Sequence, residues 1–177
     1  QHTLVCAFFD HEEVGSESHI GAAGSFLSDT LQRISLALAL DREDSARALA
    51  NSFLISADMA HAYHPNFPNA YDANHKVFVN QGPVIKSNAN RRYSSESISI
   101  AQFIHWCQTA HVPYQHYSHR NDLACGSTIG PLASAKLGIR SIDIGCPMWA
   151  MHSIRESAGV HDHIYLIKVL KQFFLDT

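Results

Sequence analysis

No run of basic residues occurs anywhere in the 177-residue chain, and its formal net charge is −3. Electrostatic binding to nucleic acid or to an anionic membrane therefore has no footing in the sequence. No apolar stretch approaches the roughly 20 residues that a membrane span needs. Residues 34–40 are apolar but short, and Arg33 and Asp41 bracket them. Cysteine is scarce: Cys6, Cys107, Cys125 and Cys146 stand far apart, with no Cys-x-x-Cys pair. That spacing argues against a zinc ribbon, and a disulfide framework is not expected in a domain of this size. Reduced thiols in a cytoplasmic protein are the expectation. Internal repeats, linkers and low-complexity tracts are missing, as is any signal-peptide pattern.

What is present reads as one domain. Hydrophobic residues make up 46% and charged residues 16% of the chain, enough for a full core. Residues 3–9 (Thr-Leu-Val-Cys-Ala-Phe-Phe) are a continuous apolar run of strand length, as in a strand covered on both faces. A turn at 15–18 follows. Phe26, Leu27, Leu31, Ile34 and Leu38 then recur at helical spacing. Asp44 or Ser45 is placed to cap a short second helix through Ala50.

Residues 53–57 form another strand, which ends at Asp58, and 61–80 is a loop rich in Asn, Pro and His. Further strands are expected at 83–86, 112–117 and 139–144. Helices are expected at 98–110, at 127–136 (closed by Gly138) and at 163–174. This alternation predicts an α/β three-layer sandwich with a largely parallel central sheet. In such sheets the working loops lie beyond the carboxyl ends of the strands.

Glu12, Glu13, Asp58 and His152 each follow closely on a predicted strand. Singly, each has an ordinary reading: a Glu pair in a loop is usually solvated, and an Asp at a strand end usually caps a turn. Together they supply Glu, Asp and His, the ligand chemistry of catalytic zinc. Adjacent side chains of an extended segment point to opposite sides, so one Glu can ligate while the other serves as general base. The set is too sparse for two complete metal sites, and it contains no convincing bridging carboxylate. Competing motifs are weak. His19-Ile20-Gly21-Ala22-Ala23-Gly24 lacks the Gly-x-Gly start of a dinucleotide fingerprint, and Cys125-Gly126-Ser127 is not a nucleophile elbow. Lys86, Arg91, Arg92 and Tyr93 form a small basic cluster that suits either a solvated loop or an acidic ligand group.

Six ordered motifs carry a resemblance: Phe9-Asp10-His11-Glu12-Glu13-Val14-Gly15-Ser16, Ser56-Ala57-Asp58-Met59-Ala60-His61-Ala62, Gly82-Pro83-Val84-Ile85-Lys86, Arg120-Asn121-Asp122, Gly126-Ser127-Thr128-Ile129-Gly130-Pro131 and Ala150-Met151-His152-Ser153-Ile154-Arg155-Glu156. Over essentially its whole length the chain resembles the aspartyl aminopeptidase family of dinuclear zinc peptidases. The resemblance implies Glu12 as general base, with Glu13, Asp58 and His152 as ligands of Zn2+. It implies Lys86 as the partner of an acidic substrate side chain, with Tyr93 and His61 lining that pocket. It further implies two zinc ions per complete site and release of N-terminal Asp or Glu from peptides. A cytoplasmic homo-oligomer of dodecamer type goes with these.

Two departures stand out. His11 occupies a position where the family commonly has Asn. The family's upstream His and bridging Asp, and its inserted oligomerisation domain, have no counterpart in these 177 residues. The chain, which opens at Gln1 just before an apolar run, is thus expected to be the C-terminal portion of a metallopeptidase catalytic domain over residues 1–177, incomplete on its N-terminal side and inactive in isolation. The alternatives are a non-catalytic fragment or assembly module of that fold, and a related dinuclear peptidase of other specificity.

Overall fold

The structure, a computed structural model, describes residues 2–176. Its strands are β1 (Phe53–Ala57), β2 (Ala60–His61), β3 (Val84–Ser87), β4 (Gln115–Ser118), β5 (Arg140–Gly145), β6 (Pro147–Trp149) and β7 (Ser157–Ala158). Its α-helices are α1 (Phe26–Ala37), α2 (Arg42–Ala50), α3 (Ser97–Thr109), α4 (Ile129–Leu137) and α5 (Val160–Leu175). Local chemistry sets several of the boundaries. Asp41, rather than Asp44 or Ser45, caps α2: its carboxylate accepts the Asp44 amide at 2.8 Å, the third N–H of the helix and one that has no partner within it. Gly138, at φ 68°, ends α4 in the left-handed conformation that a side chain disfavours.

The central sheet has the order β1-β5-β3-β4. β1 and β5 are parallel, as are β3 and β4, while β3 and β5 meet antiparallel over a short stretch. Beyond a break the β1/β5 ladder resumes as β2/β6: Asp58 donates its amide to Ile144, Ala60 to Cys146 and Ala62 to Met148. Asp58 thus sits at the gap between two parallel ladders. The backbones come close there because Gly145 has no side chain; a Cβ at that position would fall 1.8 Å from the Asp58 carbonyl oxygen.

The layers follow from which side chains each face offers. On one face Ile85, Ile142 and Ile144 pack with Phe103, Trp106 and Cys107 of α3 and Val169 of α5. This is the main core, and Phe103, Ile85, Ile142 and Ile144 are fully buried. The other face is covered by α4, which packs on β1 and β5 and carries α1 outside it. Among the described residues no helix is long and apolar enough to cross a membrane.

One expected strand is not formed. Residues 3–9 are extended but unpaired, with Leu4 55% and Phe8 88% exposed. A buried strand needs an edge to join and a layer on each face. The sheet ends at β1 and β4, and neither pairs with this run. Glu12 and Glu13 accordingly stand in a single 3-10 turn, Glu12–Val14, rather than at the end of a strand.

Candidate active site

A cavity of about 390 Å3 opens where the loops after β1, β3, β4 and β6 meet the turn at Glu12. The seven residues singled out in the sequence, Glu12, Glu13, Asp58, His61, Lys86, Tyr93 and His152, all line it. Arg91 and Arg92 of the basic cluster do not; they are exposed to solvent.

The turn bearing the two glutamates is shaped by its neighbours. His11 at φ 62° and Gly15 at φ 101° bracket it in left-handed backbone, and the Ser16 amide returns to the His11 carbonyl at 2.8 Å. At about three residues per turn, consecutive side chains diverge by roughly a third of a circle. Glu12 and Glu13 therefore still face different neighbours. Glu13 Oε2 meets His152 Nε2 at 2.6 Å. An ion pair this exposed is worth little in stability, but its geometry brings two donors to one point. Burial raises the Glu12 carboxyl above its ordinary range; repulsion from Asp58 and Glu13 adds to this, while Lys86 and His152 act the other way.

His152 lies in the loop after β6, itself at φ 70° and two residues after Ala150 at φ 56°. Its amide donates to Glu156 Oε1 at 2.5 Å, which fixes the loop around the imidazole. Left-handed backbone at non-glycine residues is uncommon and concentrates where side chains must be aimed.

Lys86 belongs to β3 and is 2% exposed. Its ammonium donates to the Met59 carbonyl at 2.9 Å and to Asp58 Oδ2 at 3.4 Å, and it lies 5.5 Å from the centre of the Tyr93 ring. A buried ammonium has to be partnered in this way. Burial pushes the Tyr93 phenol upward, with a Cys125 hydrogen bond contributing, so it remains neutral. His61 ends β2; the protein atoms crowding its ring lower its pKa, and the charges of His119, Lys86 and His152 act in the same direction.

Glu13, Asp58 and His152 are oxygen and imidazole donors of the kind zinc takes. Two of the three touch, while Asp58 is engaged by Lys86. Among the described residues no three His, Cys, Asp or Glu side chains stand close enough to hold a metal ion. The donors fit zinc in kind.

The family model for Aminopeptidase I zinc metalloprotease (M18) matches residues 1–174. The chain belongs to the M18 family. It is 50% identical over 172 residues to a probable M18 family aminopeptidase 2 of Pseudomonas aeruginosa, covering 97% of this chain and 38% of that protein. A second relative of the same name, from Mycobacterium bovis, is 53% identical over 158 residues, 89% of this chain and 36% of its own length. The chain thus spans little more than a third of the curated M18 relatives it matches. Its fold is similar to that of a chain in the cryo-EM structure of the Ape4 and Nbr1 complex, at TM-score 0.88 and 46% identity, covering 94% of this chain and 31% of that one. It is also similar to the S. cerevisiae mApe1 dodecamer, at TM-score 0.82 and 30% identity, covering 94% and 36%.

The cavity also contains residues that sequence reasoning missed. Tyr117 and His119 line the cavity with their rings joined: the Tyr117 hydroxyl meets His119 Nδ1 at 2.6 Å, and His119 Nε2 meets the Ala124 carbonyl at 3.0 Å. A carbonyl only accepts, so Nε2 carries a proton and donates to Ala124. Cys125, Thr128 and Glu156 also face the cavity. Behind it stand two fully buried carboxylates, Asp143 and Asp162. Asp162 accepts the amides of Asn80 and Gly82 and so holds the approach to β3. The signal for Asp143 lay in plain view: a charge between Ile142 and Ile144 in an apolar strand flags a buried, partnered group.

Proposed function

We propose that the protein is a zinc-dependent aminopeptidase that releases N-terminal Asp or Glu from peptides, with this chain as the C-terminal part of its catalytic domain. The observation that carries the reading is a buried ammonium, Lys86, in the same cavity as Glu12, Glu13, Asp58 and His152. Membership of the M18 family supports it.

Glu13, Asp58 and His152 would hold zinc, which when bound polarises the scissile carbonyl and makes water more acidic; two ions per complete site are expected, with donors beyond these three. Lys86 binds the acidic side chain of the substrate's first residue. In a pocket shielded from water that charge-assisted contact is far stronger than at the surface. Tyr93 and His61 line the same pocket, the neutral phenol offering a further donor. Glu12 takes a proton from the attacking water as the C–O bond forms and then returns it to the amine nitrogen as the C–N bond breaks. A cytoplasmic homo-oligomer belongs to the same reading, supported by four unpaired cysteines and by the dodecamer of the related mApe1.

The test uses the full polypeptide to which these residues belong. Glu12→Ala should lower kcat by about 10²–10⁴-fold with metal content unchanged. Lys86→Ala should abolish cleavage after Asp and Glu while sparing neutral residues. A polypeptide without bound divalent metal, or Glu12→Ala with full activity, sinks the reading. One contact favours a second reading within the family: Lys86 already hydrogen-bonds Asp58 and so could serve to hold that carboxylate. Equal loss on acidic and neutral substrates in Lys86→Ala would select it.

A further inference from the structure

Asp143 is the centre of a buried polar group that joins β5 to the segments before α3 and α4. It lies on β5 and is fully buried. Its Oδ2 accepts the Ser94 amide at 2.6 Å and the Ser94 hydroxyl at 2.8 Å, and its Oδ1 accepts the Thr128 hydroxyl at 2.5 Å. The strand backbone adds to the same junction, because the Asp143 amide donates to Ser95 Oγ at 3.0 Å. Among the described residues no Lys, Arg or His bonds this carboxylate; amide and hydroxyl donors alone hold it.

Two walls of the cavity are joined here. Ser94 directly follows Tyr93, whose ring lies beside Lys86. Thr128 lines the cavity itself, next to Ser127, and is the residue on which α4 begins. Space for the carboxylate is built in: a Cβ at Gly130, in the first turn of α4, would stand 2.4 Å from Oδ2 and 2.5 Å from Oδ1. The carboxylate therefore rests against the amino end of a helix, where the backbone dipoles favour negative charge. Because the Ser94 amide cannot reorient as a hydroxyl can, its direction fixes the backbone immediately after Tyr93.

We infer that Asp143 is a positioning residue of the substrate pocket, a clamp that sets the Tyr93 wall against the Thr128 wall and so fixes the shape around Lys86. This rests on reading that cavity as the substrate site. Nothing links Asp143 by contact to the turn bearing Glu12, so the clamp acts on substrate binding rather than on the proton transfer.

The experiment compares Asp143→Asn, Thr128→Val and Thr128→Ser in the full polypeptide. Asn keeps the volume but removes the charge and replaces one acceptor by a donor, so that a hydroxyl such as Thr128 has to reverse its role. Val keeps the shape and drops only the hydroxyl, and it carries the test if Asp143→Asn does not fold. Asp143→Asn and Thr128→Val should raise KM for acidic substrates about tenfold or more, the scale of one hydrogen bond to a charged acceptor, with kcat little changed and Thr128→Ser close to wild type. Amide hydrogen exchange, read without any substrate, should quicken in peptides covering 90–97 and 124–130 while those of α3 and α5 keep their protection. Unchanged exchange in both segments overturns the clamp whatever the activity. Quickened exchange with KM and substrate preference unchanged overturns its role in the pocket. A wild-type polypeptide that cleaves no N-terminal residue overturns instead the reading of the cavity on which the role depends.

Discussion

The two faces of the central sheet are built from the same strands and behave as different materials. Cross-strand partners share a face, so Ile55, Ile142, Ile144 and Ile85 point one way, and Ser56, Asp143 and Lys86, with Tyr117 beside it, point the other. The first face meets Phe103, Trp106 and Val169 in an apolar cluster, with the Trp106 indole donating to Asp176 at its margin. The second, covered in part by α4, holds a buried ammonium, a buried carboxylate and two serine hydroxyls, Ser56 Oγ and Ser141 Oγ, that have no hydrogen-bond partner among the described residues. Stability is concentrated on one side and chemistry on the other. The alternation of a strand, one residue up and the next down, is what allows both within five or six residues.

The contrast can be broken most forcefully from the apolar side. Phe103→Ala should cost about 3–5 kcal/mol, measured by urea unfolding, because a fully buried ring leaves a cavity that the isoleucine layer fills only in part. Its effect on the cavity residues should be confined to loss of folded protein. A stability loss below about 1 kcal/mol would mean that the two faces are not divided in this way.

From the polar side the expected effect is smaller and of opposite sign. Ser141→Ala removes a buried hydroxyl with no partner among the described residues, and should stabilise the fold by about 1 kcal/mol in the same assay. Loss of stability there would show that the hydroxyl has a partner in solution and that the polar face is better satisfied than its contacts show.

The smallest effect concerns pH. His61 has a pKa lowered from 6.5, through crowding of its ring first and neighbouring charges second. The folded protein therefore resists a proton that the unfolded chain accepts. The stability due to neutral His61 is fully present above about pH 6.5, its unfolded value, and falls as pH drops through the window between the unfolded and folded values. His61→Gln should flatten that part of the urea midpoint profile, and an unchanged slope would remove His61 from the account.

Much of this arrangement is legible in the sequence because it is local. The strand at Phe53–Ala57 coincides with its apolar run, and α4 closes where Gly138 marks a left-handed end. The meeting of Glu12, Glu13, Asp58 and His152 in one cavity is legible too, from polar residues that follow apolar runs, although the run before Glu12 forms no strand. What escapes is long-range. Asp143 finds Ser94 across 49 positions and Asp162 finds Asn80 across 82, distances at which no spacing rule operates. Residues 3–9 fail for the converse reason: their pattern is that of a buried strand, but burial depends on neighbours that a pattern does not contain.

The contact between Glu13 and His152 has a mechanical side as well. It joins the start of the chain to its last quarter, across almost every element of the fold. The stretch before α1 has few other ties, among them Lys136 donating to the carbonyls of Ala23 and Gly24 and Phe9 edge-on to Phe26. Donors that gather at one point thereby tether an arm with no ladder of its own. Whatever draws those two side chains together holds the turn at Glu12–Val14 against the loop after β6, so one contact ties the first elements of the chain to the last.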